Sequence, residues 1–281
     1  MELGRYGIWI RKQDVSPDFA RQVEELGYGT LWVGASPGGD LAEVEALLAA
    51  TDRIVVATGV VNMWATPAAE AAAAHHRLAD RFGARFLLGV GIGHRESTAE
   101  YRTPYATIVD YLDELDEAGV PASGRVLAAL GPRVLRLSGE RAVGAHPYFT
   151  TPEHTRLARE TLGTGPLLAP EQKVVLDTDP RRARELARPT AAYYLERVNY
   201  RRNLQRLGWS DADVAGGGSD ALIDALARHG DAQTLAAGLD EHLAAGADHV
   251  CAQVLTPGGD GDEAARSAGV RALAEALRLS S

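Results

Sequence analysis

The chain predicts a (β/α)8 barrel, and three observations carry that prediction. First, eight short apolar runs alternate with longer helix-like segments: Tyr6–Ile10, Thr30–Gly34, Ile54–Val61, Phe86–Ile92, Val126–Leu130, Gly144–Phe149, Lys173–Asp177 and His249–Leu255. Second, several of these runs are apolar throughout instead of at every second residue, the pattern of strands covered on both faces of a parallel sheet. Third, the helical segments open with one chemistry. Ser16-Pro17, Thr66-Pro67, Thr151-Pro152 and Asp179-Pro180 each set a capping side chain before a proline that suits the first helical turn. Eight strand–helix units fit within 281 residues. A doubly wound open sheet is the alternative arrangement of the same elements.

One domain, residues 1–281, accounts for the whole pattern. The longest departure lies at about 180–245, between the seventh and eighth strands, where an extended helical insertion is expected. The Gly216-Gly217-Gly218 run inside it reads as a loop, because the eighth strand must follow it to close the barrel.

Composition narrows the function. The formal charge is −9 and no basic run occurs, which argues against binding a nucleic-acid backbone. A single cysteine excludes a disulfide framework and a cysteine-based zinc site, and fits a cytoplasmic protein. The first residues hold no long apolar core of a secretion signal, and no stretch reads as a membrane span. The histidines show no metal-ligand spacing: His75 and His76 are adjacent on a helix and point apart, and H-E-x-x-H does not occur. No catalytic metal is expected.

In a barrel the active site forms at the C-terminal ends of the strands, so the residues there matter most. Aromatics make up only 6% of the chain, yet three of its four tryptophans, Trp9, Trp32 and Trp64, fall at this rim. With His146 and Tyr148 they suggest a pocket for a large flat ring. Asn62 ends strand three with an amide that both donates and accepts. Gly89-Val90-Gly91-Ile92-Gly93 ends strand four with the wrong spacing for a dinucleotide fingerprint, and its glycines read as room for a ligand at the mouth. His94 follows at once, and because histidine as a residue type can exchange protons near neutral pH, it is the candidate proton carrier. Leu130-Gly131-Pro132-Arg133-Val134 joins strand five to a helix, where backbone N–H groups and the helix dipole favour an anion. Lys12 and Lys173 are the only lysines, and neither lies clearly at a strand end, which argues against a Schiff-base lyase.

These stretches, ELGYGTLWVG at 25–34, TGVVN at 58–62, RFLLGVGIGH at 85–94, VLAALGPRVLRLSGERAVGAHPYFTTPEHT at 126–155 and GADHVCAQVL at 246–255, resemble the luciferase-like flavin and deazaflavin superfamily. The resemblance is nearest to its F420-dependent oxidoreductases from actinobacteria and runs through almost the whole chain in order. It implies a luciferase-like (β/α)8 barrel with a bulge on strand three, whose non-prolyl cis bond matches Gly59–Val60 and backs the cofactor ring. It also implies cofactor binding by Gly59, Val60, Asn62, Leu130, Gly131, Arg133 and Val134, the last four around a phosphate. The implied activity is hydride transfer between coenzyme F420 and a small organic substrate, in a homodimer. An FMN-dependent monooxygenase and a non-catalytic flavin- or deazaflavin-binding protein are the alternatives. The sequence departs from the family pattern after strand two, where Ala35 and Ser36 replace an acidic residue and histidine. It departs again after strand four, where His94 stands in place of a glutamate. A sugar-phosphate substrate is therefore not expected.

Overall fold

The computed structural model describes residues 1–94, 103–257 and 262–280. Its strands are β1 (Tyr6–Arg11), β2 (Thr30–Gly34), β3 (Val55–Gly59), β4 (Val61–Asn62), β5 (Phe86–Gly91), β6 (Arg125–Leu127), β7 (Gly144–Ala145), β8 (Leu167–Leu168), β9 (Glu171–Val175), β10 (Ala227–His229) and β11 (Val250–Val254). Its α-helices are α1 (Pro17–Glu25), α2 (Ala42–Ala49), α3 (Ala68–Phe82), α4 (Pro104–Glu117), α5 (Pro132–Arg141), α6 (Pro152–Leu162), α7 (Pro180–Leu195), α8 (Val198–Arg206), α9 (Asp211–Val214), α10 (Asp220–Leu226), α11 (Ala232–Ala244) and α12 (Glu263–Leu277).

All strand pairs are parallel, in the order β10-β9-β11-β1-β2-β3-β5-β6-β7-β8, with β4 also on β5. The ring closes because β8 and β9 are successive parts of one path. The Leu167 and Ala169 N–H groups donate to Val143 and Ala145 on one side, while Leu168 and Pro170 accept from Asp248 and Cys251 on the other. The result is the (β/α)8 barrel that the alternation predicts.

Alternation along each strand sorts the core into layers. Ile8, Leu31, Val56 and Leu88 face the surrounding helices, whereas Trp9, Trp32, Ala57, Leu87, Val126 and Cys251 fill the barrel interior. A separate cluster joins α7, α8 and α10 to Phe149 and Val175. Two of the four expected caps form; Thr151 is an N-cap without a side-chain hydrogen bond, and α3 starts with Pro67 and not Thr66 as its N-cap. The Ser16 hydroxyl accepts from the Phe19 N–H, and the Asp179 carboxylate accepts from Arg181 and Arg182 at the start of α7.

Most strand boundaries differ from the sequence reading by a residue or more; the third run splits around Val60 into β3 and β4, and the fifth, sixth and seventh runs move most. The sixth run shortens to Gly144–Ala145, so Tyr148 and Phe149 lie past the strand; Pro147 has no N–H to give a ladder, and Phe149 turns the chain with φ 57°. The fifth run likewise ends at Leu127. The seventh starts earlier, at Glu171, because its two charged residues neutralise each other inside the fold. The short strands β8 and β10 were not foreseen. Among the described residues no helix is long and apolar enough to cross a membrane.

Candidate functional site

A cavity of about 1110 Å³ opens at the C-terminal ends of the strands, between the barrel mouth and helices α7 and α8. It is slightly larger than the usual small-molecule site of about 300–1,000 Å³. Its inner end is built by glycines that leave room for rings. A Cβ on Gly34 would fall 1.8 Å from the Trp9 indole, so only glycine lets that indole lie across β2. Gly59 does the same for two neighbours, since its Cβ would stand 2.8 Å from Trp9 Nε1 and 3.1 Å from His146 Nε2.

The peptide bond between Gly59 and Val60 is cis. Both residues line the cavity. Thr58, just before them, locks β3 to β5 by a two-way bond: its hydroxyl donates to the Gly89 carbonyl at 2.8 Å and accepts the Gly89 N–H at 2.7 Å. The glycines of β5 serve this close approach. A Cβ on Gly89 would lie 1.8 Å from the Thr58 carbonyl oxygen, and one on Gly91 would lie 2.7 Å from Val60 Cγ2. Reading them as room for a ligand is therefore corrected for Gly89 and Gly91: the space they free is taken by the neighbouring strand. Gly93 does line the cavity, with φ 66°.

Of the residues singled out in the sequence, the cavity brings together Trp9, Gly59, Val60, Asn62, His94, Leu130, Gly131, Val134, His146 and Tyr148. Asn62 also has a local duty, its side-chain oxygen accepting the Trp64 N–H at 2.9 Å. His94 packs its ring 5.3 Å from that of Tyr200 on α8. Trp32, Trp64 and Arg133 are not among the lining residues. Trp32 is fully buried, stacks on His146 at 4.0 Å and donates its indole N–H to His249 Nε2 at 3.0 Å. The guanidinium of Arg133 is exposed and lies 3.5 Å from the centre of the Tyr105 ring.

Cationic side chains at the mouth come from α8 as well as from Arg11 of β1 and Arg266 of α12. Arg202 and Arg206 are four residues apart, on one helix face, and both line the cavity. Arg206 Nη1 lies 3.3 Å from where a Gly131 Cβ would be, at the start of α5. Gly131 is the N-cap of that helix and has no side-chain cap. An uncapped helix N-terminus, a backbone without a side chain and a guanidinium thus converge on one spot, the composition of an anion cradle. Sequence reading missed Arg202 and Arg206 because the polar run Asn199–Arg206 looks like a solvated helix face; the four-residue spacing was the available signal.

Below the inner end sits a buried ion pair. Lys173 Nζ lies 3.0 and 3.1 Å from the two oxygens of Glu171, and each side chain is 1% exposed. The Phe149 N–H donates to the same carboxylate at 3.2 Å, and Lys173 Nζ stands 3.9 Å from the Tyr148 ring centre. Burial pushes the Glu171 carboxyl up and the Lys173 amine down, with each partner opposing the other's shift. Tyr148 roofs this pair. It donates to Gln253 Oε1 at 2.9 Å and accepts from the Tyr194 hydroxyl at 3.1 Å, tying the barrel to α7. Burial raises the phenol of Tyr148 well above its usual range, and that of Tyr194 to about 12, so both keep their protons. Burial lowers His146 and His249 to about 4. Both rings are therefore neutral near pH 7.

Comparison with known proteins agrees with this fold. The family model for luciferase-like monooxygenase matches residues 15–119, which bears out the superfamily resemblance read from the sequence over that stretch. A search of curated proteins returned no match. Among solved structures, an F420-dependent secondary alcohol dehydrogenase, solved with an F420-acetone adduct, shares the fold with TM-score 0.75 and 14% identity, over 99% of this chain and 100% of that one. The coenzyme F420-dependent tetrahydromethanopterin reductase of Methanopyrus kandleri gives TM-score 0.70 and 16% identity, over 98% of each chain. The oxygenating constituent of 3,6-diketocamphane monooxygenase from Pseudomonas putida, in complex with FMN, gives TM-score 0.67 and 15% identity, over 97% of this chain and 98% of that one.

Proposed function

We propose that the chain is an F420-dependent oxidoreductase that moves a hydride between the deazaflavin and a small organic substrate. The observation that carries this reading is the make-up of the one continuous cavity. It runs from the aromatic-walled interior at Gly59 and Val60 to the cationic cradle of Gly131 and Arg206. A flat ring linked to a phosphate matches that sequence of surroundings. The fold shared with two F420-dependent enzymes and an FMN-bound monooxygenase supports a cofactor of the deazaflavin or flavin kind.

Within this reading each residue has a task. Gly59 and Val60 support one ring face, and Asn62 offers its amide at the rim. Leu130, Gly131 and Val134 bring backbone to the phosphate, and Arg206 supplies a local positive charge on a chain whose net charge is −9. Tyr148, Tyr194 and Tyr200 wall the remaining space, where the substrate is held and water excluded. When bound, the deazaflavin supplies the two-electron chemistry; the protein supplies position and electrostatics. His94, at the end of β5, takes or gives the proton that accompanies the hydride.

The test is to mix the protein with oxidised F420 and a panel of small alcohols and follow the cofactor's visible absorbance. Loss of absorbance that slows at least tenfold in H94A, with F420 affinity unchanged, is the expected result. Turnover untouched in H94A removes His94 from the reaction. No change with any alcohol, alongside oxygen consumption with reduced FMN, assigns the chain to monooxygenase chemistry instead.

A further inference from the structure

The barrel interior holds two tryptophan–histidine pairs of the same chemistry, and only one is satisfied. In the first, His249 gives its Nδ1 proton to the Gly4 carbonyl at 2.8 Å, which leaves Nε2 as an acceptor, and the Trp32 indole N–H fills it at 3.0 Å. In the second, His146 gives its Nδ1 proton to the Ala169 carbonyl at 2.7 Å. Its Nε2 is then a bare acceptor, buried and without a hydrogen-bond partner. Trp9 Nε1, a donor only, is likewise buried and without a partner. Both atoms flank the same point beside Gly59, and all three residues line the cavity. Buried polar groups of this kind are costly to leave unmet, at about 1–3 kcal/mol each, so an orphaned donor beside an orphaned acceptor marks a place for a complementary group.

We propose that Trp9 and His146 together read the imide edge of a flavin-type ring, Trp9 Nε1–H donating to a ring carbonyl oxygen and His146 Nε2 accepting from the adjacent ring N–H. The inference rests on the ring-cofactor reading above and deepens it by naming the atoms that orient the ring. The donor–acceptor order suits an edge that carries a carbonyl next to an N–H. It rejects a carboxylate or phosphate, which would offer His146 no proton. Because burial also keeps the imidazole neutral, His146 acts here as a fixed acceptor and not as a base. A substrate hydroxyl offers the same two functions from one atom, and the experiment separates the two sources.

The probes are oxidised F420 and its derivative methylated at the imide nitrogen, titrated by fluorescence into wild type, W9F and H146F. In wild type, methylation is expected to weaken binding at least tenfold. H146F should weaken the parent cofactor about tenfold and abolish the penalty for methylation, because the acceptor that sensed the N–H is gone. W9F should weaken both ligands alike. Wild type that binds the two ligands equally overturns the inference, as does H146F that keeps the methylation penalty, which would then be steric. Equal binding of both ligands together with loss of alcohol turnover in W9F and H146F would assign the pair to a substrate hydroxyl. Failure of wild type to bind F420 at all defeats the underlying reading, a result distinct from tight binding without discrimination. Should H146F not fold, the wild-type comparison still decides, and the bound ring's carbonyl stretch should rise in frequency from wild type to W9F. An unchanged stretch overturns the Trp9 contact.

Discussion

Replacing Lys173 with methionine removes the positive partner of a carboxylate that has almost nothing else. Glu171 is 1% exposed and keeps only the Phe149 N–H at 3.2 Å once the ammonium at 3.0 and 3.1 Å is gone. Methionine preserves much of the volume, so the loss is mainly electrostatic. The cheapest escape is for Glu171 to take up a proton. Relative to an unfolded-state value of about 4.3, holding a carboxyl protonated costs about 1.4 kcal/mol per pH unit, hence about 3.7 kcal/mol at pH 7 and about 1 kcal/mol at pH 5. The sign follows from the direction of the shift. A carboxyl whose folded pKa is raised loses stability as pH rises from its unfolded value toward its folded one. Urea unfolding of K173M against wild type should show this growing deficit. The double variant K173M/E171Q, which leaves no buried charge, should recover most of it. A deficit under about 1 kcal/mol at pH 7, or one that does not change between pH 5 and 7, would refute the account of a charge-compensated pair.

Other expectations follow from the same geometry. T58V should destabilise by about 2–4 kcal/mol in urea unfolding, because it strands both the N–H and the carbonyl of Gly89. R206A should weaken binding of phosphate-bearing FMN or F420 at least tenfold, about 1.4 kcal/mol, and leave riboflavin unaffected. G131L should do the same at a cost of only about 1 kcal/mol in stability, that of a poorer N-cap, since Gly131 has an ordinary φ of −87° and the atoms nearest its Cβ position belong to the tip of the Arg206 side chain. Acid should unfold the protein through its buried histidines. His146 and His249 are lowered by burial to about 4 and His242 to about 3, all below the unfolded value of about 6.5. Their stabilisation is complete above that value and is lost as pH falls toward 4, at up to about 1.4 kcal/mol per pH unit for each. Replacing His242 with glutamine should flatten that slope, as read from unfolding curves at several pH values.

The barrel was legible because its signal is distributed. Each strand buries both faces, so runs such as Phe86–Gly91 are apolar throughout, and caps such as Ser16 and Asp179 mark where the chain turns. What was not legible depends on partners distant in sequence. Glu171 and Lys173 look like loop residues until they are seen to neutralise each other, so β9 was placed two residues late. Strands of two or three residues, β8 and β10, carry no periodicity to detect. Gly89 and Gly91 read as room for a ligand, but the space is taken by the Thr58 carbonyl and by the side chains of Val60 and Ala128. Trp9 and Trp32 are identical in strand position, paired directly across β1 and β2, yet one faces the cavity and the other is consumed by His249. Arg202 and Arg206 were hidden for the opposite reason: a charged helix face reads as solvated, and only the packing of α8 over the mouth turns it toward the site.

The central claim is that this cavity holds a deazaflavin. A side-by-side fluorescence titration of the protein with F420 and with FMN tests it most directly. Micromolar or tighter binding of F420, with FMN at least tenfold weaker, is the result predicted here. Preference for FMN, or binding of neither, would contradict it.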